Sequence, residues 1–176
     1  MVAAGLAVHG LGTEGWRHAT AWTARLSLLP FVLAFAARPL AQLTRVARPL
    51  LYERRGLGLA FAAAHAIHGV AIVVYFALRS EWPATVTLIG GGSAYVVIAA
   101  MSLTSTDGAQ HRMGRNWRRL HLAGMMFLWL IFTNSYVGRL FDPVSFPVGL
   151  YGTTLLMTAM AIRLAAPLAR RARSAG

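Results

Sequence analysis

The sequence contains no cysteine and no lysine, and each absence removes a class of chemistry. Without cysteine the chain forms no disulfide, carries no thiolate nucleophile and holds no cysteine-ligated iron–sulfur cluster. Without lysine, all 17 basic side chains are arginines, and they outnumber the 5 acidic residues to give a net charge of +12. Basic charge is also typical of nucleic-acid-binding proteins. Here the arginines flank apolar stretches, which indicates membrane topology and argues against nucleic acid as a partner.

Acidic residues are scarce, and none falls well inside an apolar stretch. They are Glu14, Glu53, Glu81, Asp107 and Asp142. Proton pumps and cation-coupled transporters usually need carboxylates inside the membrane, so the composition argues against both classes. No pair of His and Glu residues has the spacing of a zinc hydrolase.

Long apolar stretches dominate what is present. The chain is 57% hydrophobic and 12% charged, with a mean hydropathy of +0.55. A helix needs about 20 mostly apolar residues to cross a bilayer. Five stretches satisfy this requirement, although the first is the weakest because Arg25 lies near its start. The sequence therefore predicts an all-α, polytopic membrane helix bundle of about five transmembrane helices, at residues 21–37, 57–78, 84–103, 120–137 and 146–166.

The distribution of arginines predicts the orientation in the membrane. Cytoplasmic connections carry an excess of basic residues, so the arginine-rich connections and the C-terminal tail are expected in the cytoplasm. We expect a multi-pass protein of the cell inner (plasma) membrane, with the N-terminus outside and the lipid bilayer as its surroundings. The predicted regions are an extracytoplasmic segment (1–20), a transmembrane domain (21–166) and a basic cytoplasmic tail (167–176).

Histidines inside the apolar stretches are the candidate functional residues. An ionisable residue at membrane depth is a functional-site hypothesis by default, and neutral imidazole is a common metal ligand. His68 lies about 20 Å along a helix from Arg55, and His65 lies one turn earlier. His121 follows Arg118 and Arg119 near the cytoplasmic edge. For each of the three histidines, a hydrogen bond between helices is the alternative to metal ligation.

Other short patterns have simpler interpretations. His9, His18 and His111 lie outside the apolar stretches and are expected to be solvated loop residues. The run Gly90-Gly91-Gly92-Ser93 has no preceding strand and no following Gly-Lys-Ser, so it is not a phosphate-binding loop. It predicts a small-residue face for close helix packing.

Two motifs carry a resemblance to a known family. The segment Arg54-Arg55-Gly-Leu-Gly-Leu-Ala-Phe followed by His68, and the segment Trp117-Arg118-Arg119-Leu-His121, resemble helices of ferric-reductase-like transmembrane proteins. The similarity is greatest to the haem-binding membrane subunits of periplasmic methionine sulfoxide reductase systems. The resemblance implies an electron-transfer subunit with b-type haem. It matches His68 and His121 to iron ligands, with His65 as a further candidate and Arg55, Arg118 and Arg119 as partners of the haem propionates.

The resemblance also implies partners. Electrons would pass to a separate soluble reductase or redox partner, with a quinone or a flavin as donor. The chain would be at most a redox subunit of such a system.

One position departs from the family pattern. The family helix that begins Trp-Arg-Arg-Leu-His usually carries a further histidine thirteen residues on, where this chain has Asn134. Counted from the arginine pairs, His68 lies about 20 Å deep and Asn134 about 22 Å deep, whereas His121 lies only about 3 Å deep. His68 and His121 are therefore poorly placed to bridge one haem. One histidine could hold a haem alone, His65 or a water could complete the ligation, or this branch has lost one haem.

Two alternative functions stay open at this stage. The first is a haem-free membrane scaffold or assembly subunit, in which His65, His68 and Asn134 form hydrogen bonds between helices. The second is a small transporter, which the lack of buried acids and of inverted repeats disfavours.

Overall fold

The computed structural model describes residues 6 and 10–174. His9, the start of the predicted N-terminal segment and the last two residues of the predicted tail lie outside this range. The described residues form seven α-helices and two short 3-10 turns, with no strand among them. The helices are α1 (Thr13–Leu43), α2 (Arg48–Tyr52), α3 (Arg54–Arg79), α4 (Thr85–Leu103), α5 (Asp107–Met113), α6 (Arg115–Gly138) and α7 (Phe146–Ser174).

Five of these helices confirm the five predicted spans. The helices α1, α3, α4, α6 and α7 are long and apolar enough to cross a membrane. The short helices α2 and α5 lie in the two arginine-rich connections. A helix satisfies its own backbone hydrogen bonds, which is why long helices are the natural form for these apolar stretches in lipid.

Helix α1 lies at the centre of the bundle, packed against both α3 and α7. It is the most buried of the five long helices. Its buried residues include Phe31 and Phe35, which pack in one apolar core with Leu128 and Phe132 of α6 and with α7. Because α1 is covered by other helices more than they are, small and polar residues such as Thr23 and Ser27 are buried along it.

The two arginine-rich connections meet at one end of the bundle, here called the arginine-rich end. It comprises residues 44–55 and 104–119. An ion pair joins the two connections directly, because Arg55 Nη1 lies 2.9 Å from Asp107 Oδ1. The connections at 80–84 and 139–145 belong to the opposite end. The exposed Arg55–Asp107 ion pair contributes little stability by itself, but it shows that α3 and α5 begin side by side.

The predicted packing role of Gly90, Gly91 and Gly92 is wrong. A Cβ atom built at any of these positions meets no other described side chain or distant backbone within 4 Å. Helix α4 is buried instead at Ala94 and Ile98, in its second half, so its glycine-rich half stays outside the core. The close approach between α4 and α6 occurs at Gly124, where a Cβ would collide with the side chain of Met101.

Candidate functional site

His65 and His68 lie together on α3, with ring centroids 5.1 Å apart. Their spacing of three residues places them on one side of the helix. His65 is only 7% exposed and is surrounded by aromatic rings. Its ring centroid lies 5.4 Å from that of Phe61, 4.9 Å from Tyr95 and 5.5 Å from Phe132. Two imidazoles are thus held at membrane depth in an aromatic environment.

Helix α1 supplies a hydroxyl partner to each of these imidazoles. His68 Nδ1 lies 3.0 Å from Thr23 Oγ1, and His65 Nδ1 lies 3.1 Å from Ser27 Oγ. Thr23 and Ser27 are one turn apart on α1, and α1 runs antiparallel to α3, so the two pairs form in matching order. Sequence reasoning missed both hydroxyls. The sequence signal that could have identified them was a threonine and a serine four residues apart within an apolar span.

A buried hydroxyl beside this histidine pair has no hydrogen-bond partner among the described residues. It is the Oη atom of Tyr95, on α4. The Tyr95 ring packs over Gly69, where an added Cβ would lie 2.9 Å from the ring. An unsatisfied buried hydroxyl costs about 1–3 kcal/mol. Such a group in a native structure calls for an explanation, and an unfilled polar ligand position is one of them.

Position 134 does not complete this site. Asn134 is exposed, and the α6 residue that contacts His65 is Phe132. The haem-free alternative predicted that Asn134 forms hydrogen bonds between helices together with His65 and His68. For Asn134 that prediction is wrong. The bonds between helices that involve His65 and His68 run to α1 instead.

His121 forms a separate cluster near the arginine-rich end. Its ring stacks on that of Trp117 with centroids 4.1 Å apart, and its Nε2 lies 3.2 Å from Thr104 Oγ1. Trp117 Nε1 donates to the Thr104 carbonyl at 2.8 Å. Trp117, the first residue of the Trp-Arg-Arg-Leu-His motif, thus holds His121 and the end of α4 together.

A cavity of about 280 Å³ opens beside His121 at the arginine-rich end. Its lining includes Arg54 and Arg55, and Arg54 Nε donates to the Ala34 carbonyl at 3.3 Å. Arg118 and Arg119 are exposed and do not line it. The cavity thus combines an imidazole with two guanidinium groups, and guanidinium groups match carboxylates well.

The cavity and the histidine pair adjoin through one aromatic side chain. Phe61 lines the cavity and also contacts the His65 ring. His65 and His68 themselves do not line the cavity. The structure therefore brings His65 together with His68, and keeps His121 in a second, shallower cluster, as the depths counted along the sequence indicated.

Comparison with known proteins gives a consistent family. Residues 21–133 match the family described as the ferric reductase like transmembrane component. The protein-methionine-sulfoxide reductase heme-binding subunit MsrQ of Xanthomonas campestris pv. campestris (strain 8004) is 33% identical over 125 residues, which cover 62% of this chain and 55% of the relative. The subunit of the same name from Yersinia pseudotuberculosis serotype O:1b (strain IP 31758) is 27% identical over 146 residues, covering 72% and 69%.

The chain spans about 55% of the length of the Xanthomonas relatives. No solved structure matches it significantly. The family match covers well over half of the chain and includes both histidine clusters. The chain therefore belongs to the family of ferric-reductase-like transmembrane components.

Proposed function

We propose that this protein is an integral membrane electron-transfer subunit that carries b-type haem and passes electrons to a separate reductase or acceptor. The observation that carries the proposal is the pair of imidazoles on α3, held among aromatic rings at membrane depth. Family membership supports it, and so do the names of the relatives, which are heme-binding subunits.

The residues at the histidine pair fit the chemistry of a haem ligand set. Haem iron is commonly held by histidine, so the imidazoles of His68 and His65 could hold it here. His68 is the favoured ligand, and His65 is the neighbouring candidate. The unpaired hydroxyl of Tyr95 beside them is a polar group that a bound ligand or its water could satisfy.

The cluster around His121 fits a second, shallower site. His121 lines the cavity at the arginine-rich end, where Arg54 and Arg55 could pair with propionates. Arg54 was missed by sequence reasoning, which named only its neighbour. Arg118 and Arg119 stay proposed partners for a propionate that reaches the bundle surface, since both are exposed.

When bound, haem would supply a one-electron iron couple. The chain's own contribution is position and environment. Aromatic rings surround His65, and hydrogen bonds with the Thr23 and Ser27 hydroxyls of α1 hold the imidazoles in place. Hydrogen bonding to a ligating imidazole and burial of the site are two ways in which a protein sets the reduction potential.

The remaining assignments follow from this proposal. We place the arginine-rich end and the C-terminus in the cytoplasm and the N-terminus outside, in a multi-pass protein of the inner membrane. The transmembrane domain is assigned to residues 21–166, flanked by 1–20 and the basic tail 167–176. A soluble reductase or redox partner, with a quinone or flavin donor, would complete the electron path.

A haem-free scaffold is the second candidate, and two observations favour it. All three imidazoles already have hydroxyl partners, and Asn134 stands where relatives are expected to carry a histidine. In that case the histidines would only join helices.

The test is a visible spectrum of the detergent-purified protein, oxidised and dithionite-reduced, with a pyridine haemochrome count. A reducible b-type signal is expected, and His68→Ala should remove most of it. The exposed His111 provides the control, because His111→Ala should leave the spectrum unchanged. A colourless protein after expression with ample haem would make the scaffold the better account. Full absorbance in His68→Ala would exclude His68 as a ligand.

A further inference from the structure

Each histidine in the two clusters faces a hydroxyl whose proton is already used. Thr23 Oγ1 donates to the Ala19 carbonyl at 2.7 Å, and Ser27 Oγ donates to the Ala24 carbonyl at 2.9 Å. A carbonyl oxygen can only accept, and a hydroxyl has only one proton to give. The hydroxyl oxygens of Thr23 and Ser27 therefore face their imidazoles as acceptors.

The imidazole must then be the donor in each pair. His68 and His65 meet the hydroxyls through Nδ1, so the proton of each neutral ring lies on Nδ1. The other ring nitrogen, Nε2, then carries the lone pair. We infer that Thr23 and Ser27 are positioning residues that fix His68 and His65 as Nδ1–H tautomers and so leave Nε2 available to a metal.

His121 provides an internal contrast. Thr104 Oγ1 donates to the Ala100 carbonyl at 2.7 Å, so it also acts as an acceptor. It faces Nε2 of His121 rather than Nδ1. The same reasoning therefore places the proton of His121 on Nε2 and its lone pair on Nδ1. The deep pair and the shallow histidine are fixed in opposite tautomers.

This arrangement has a direct consequence for a metal centre, and to that extent the inference rests on the proposed function. A histidine that binds a metal through one nitrogen almost always donates its other N–H to an acceptor, which orients the ring and raises its basicity. Thr23 and Ser27 supply such acceptors to Nδ1 of His68 and of His65, respectively. Removing such a partner typically weakens metal binding by about 10–100-fold.

The first test needs no haem. The whole chain, prepared haem-free with isotopically labelled histidine ring nitrogens, would be studied by NMR at neutral pH, with each imidazole assigned by single substitution. Protons on Nδ1 of His65 and His68 and on Nε2 of His121 are expected. A proton on Nε2 of His65 and His68 would overturn the inference, whatever the protein binds.

Substitutions on α1 identify the cause. Thr23→Val should turn His68 into a tautomer mixture while leaving His65 unchanged, and Thr23→Ser should restore the wild-type state. Thr20→Val is the matched control, because the Thr20 hydroxyl bonds to the Arg17 carbonyl and only the Thr20 backbone, which the substitution keeps, hydrogen-bonds His68. A folded Thr23→Val protein that kept the wild-type His68 tautomer would contradict the assignment. Ser27→Ala and Ser27→Thr repeat the test independently at His65.

The haem-loaded protein gives the second readout. Thr23→Val should lose haem about 10-fold more readily than wild type and raise the midpoint potential, because a less basic imidazole stabilises ferric iron less. Thr23→Ser should restore both, and Thr20→Val should change neither. Unchanged retention and potential in Thr23→Val would overturn the positioning role. A wild-type protein that takes up no haem would refute the proposed function, while the NMR result would still decide the tautomers.

Discussion

Trp117 joins three features of the shallow cluster through one side chain. Its ring stacks on His121, its indole N–H donates to the Thr104 carbonyl, and it lines the cavity. Thr104 is the residue that caps the C-terminal end of α4, so Trp117 fixes the position of α4 against α6 as well as the plane of the imidazole. The first residue of the Trp-Arg-Arg-Leu-His motif therefore organises a candidate site as well as the packing of two helices.

Graded substitution of Trp117 should separate these contributions. Trp117→Phe keeps a ring against His121 but loses the hydrogen bond, which should lower the free energy of unfolding by about 1 kcal/mol. Trp117→Leu also loses the aromatic pair, which should cost about 0.5–1.5 kcal/mol more. Denaturant titration in detergent measures both. Equal stability of the two variants would contradict a contribution from the stack.

The histidines show what a sequence can predict at this scale. Their depth follows from counting residues along a helix, and the separation of His121 from His65 and His68 was expected on that basis. Their partners were not, because Thr23 and Ser27 are distant in sequence and hydroxyl residues are common in membrane helices. Asn134 was placed at nearly the depth of His68 and considered as a hydrogen-bond partner between helices, yet it is exposed, and Phe132 of the same helix contacts His65. Depth is a one-dimensional property, whereas the direction of a side chain depends on how helices rotate against each other.

Among the elements, α1 contains a backbone defect that another helix repairs. Pro39 has no N–H, so it cannot donate to the Phe35 carbonyl as a helix residue four positions on normally would. Arg163 of α7 lies against that carbonyl, with Nη1 at 3.4 Å, and its guanidinium stands 4.5 Å from the Phe35 ring centroid. An unpaired carbonyl is costly in a membrane bundle, so this contact links α1 to α7 at a specific level.

A double-mutant cycle tests that repair. Arg163→Met should destabilise the protein by about 1–3 kcal/mol, because the Phe35 carbonyl loses its donor. In a Pro39→Ala background, the new N–H at position 39 can serve the same carbonyl, so Arg163→Met should cost less. The expected interaction energy between the two changes is at least about 0.5 kcal/mol. Strictly additive effects on the free energy of unfolding would mean that Arg163 acts elsewhere.

The connection before α7 contains a local cap that should respond to pH. The Asp142 carboxylate accepts hydrogen bonds from the Ser145 hydroxyl and from the backbone N–H groups of Ser145 and Val144. The Ser145 hydroxyl bond is the main reason why the pKa of Asp142 lies below its ordinary value of 3.8. A carboxyl whose folded pKa is lowered stabilises the protein at and above its unfolded pKa. That contribution disappears as the pH falls from 3.8 through the lower folded value.

Asp142→Asn should therefore remove a small acid-dependent step in stability. The midpoint of thermal unfolding in detergent would be compared for wild type and Asp142→Asn from neutral pH down through 3.8 and below. The difference between the two proteins should shrink toward the acid end, because the wild-type carboxylate is progressively protonated there. A constant difference across the range would show that the cap does not depend on the charge of Asp142.

At the scale of the whole molecule, the central position of α1 could not be predicted from hydropathy. The five spans could, because length and apolar content are local properties of the sequence. Hydropathy ranks helices by how well they suit lipid, and on that measure α1 lies within the range of the other four long helices. Its stretch was expected to be the weakest span only because Arg25 lies near its start. A helix at the centre of a bundle needs small residues and hydrogen-bond partners instead. That is why α1 carries both Thr23 and Ser27 and forms much of the core.

The natural absence of cysteine makes the orientation of this bundle directly testable. Val46 lies in the arginine-rich end and Val144 in the opposite end, and the two are 87% and 90% exposed. Val46→Cys and Val144→Cys therefore place one thiol each on comparable exposed valines, with no other cysteine in the chain. If basic connections remain in the cytoplasm, a membrane-impermeant maleimide added to intact spheroplasts should label position 144 and not position 46. Permeabilised cells should label both, which controls for reactivity. The reverse pattern would invert the bundle, and would place the cavity beside His121 on the outer side of the membrane.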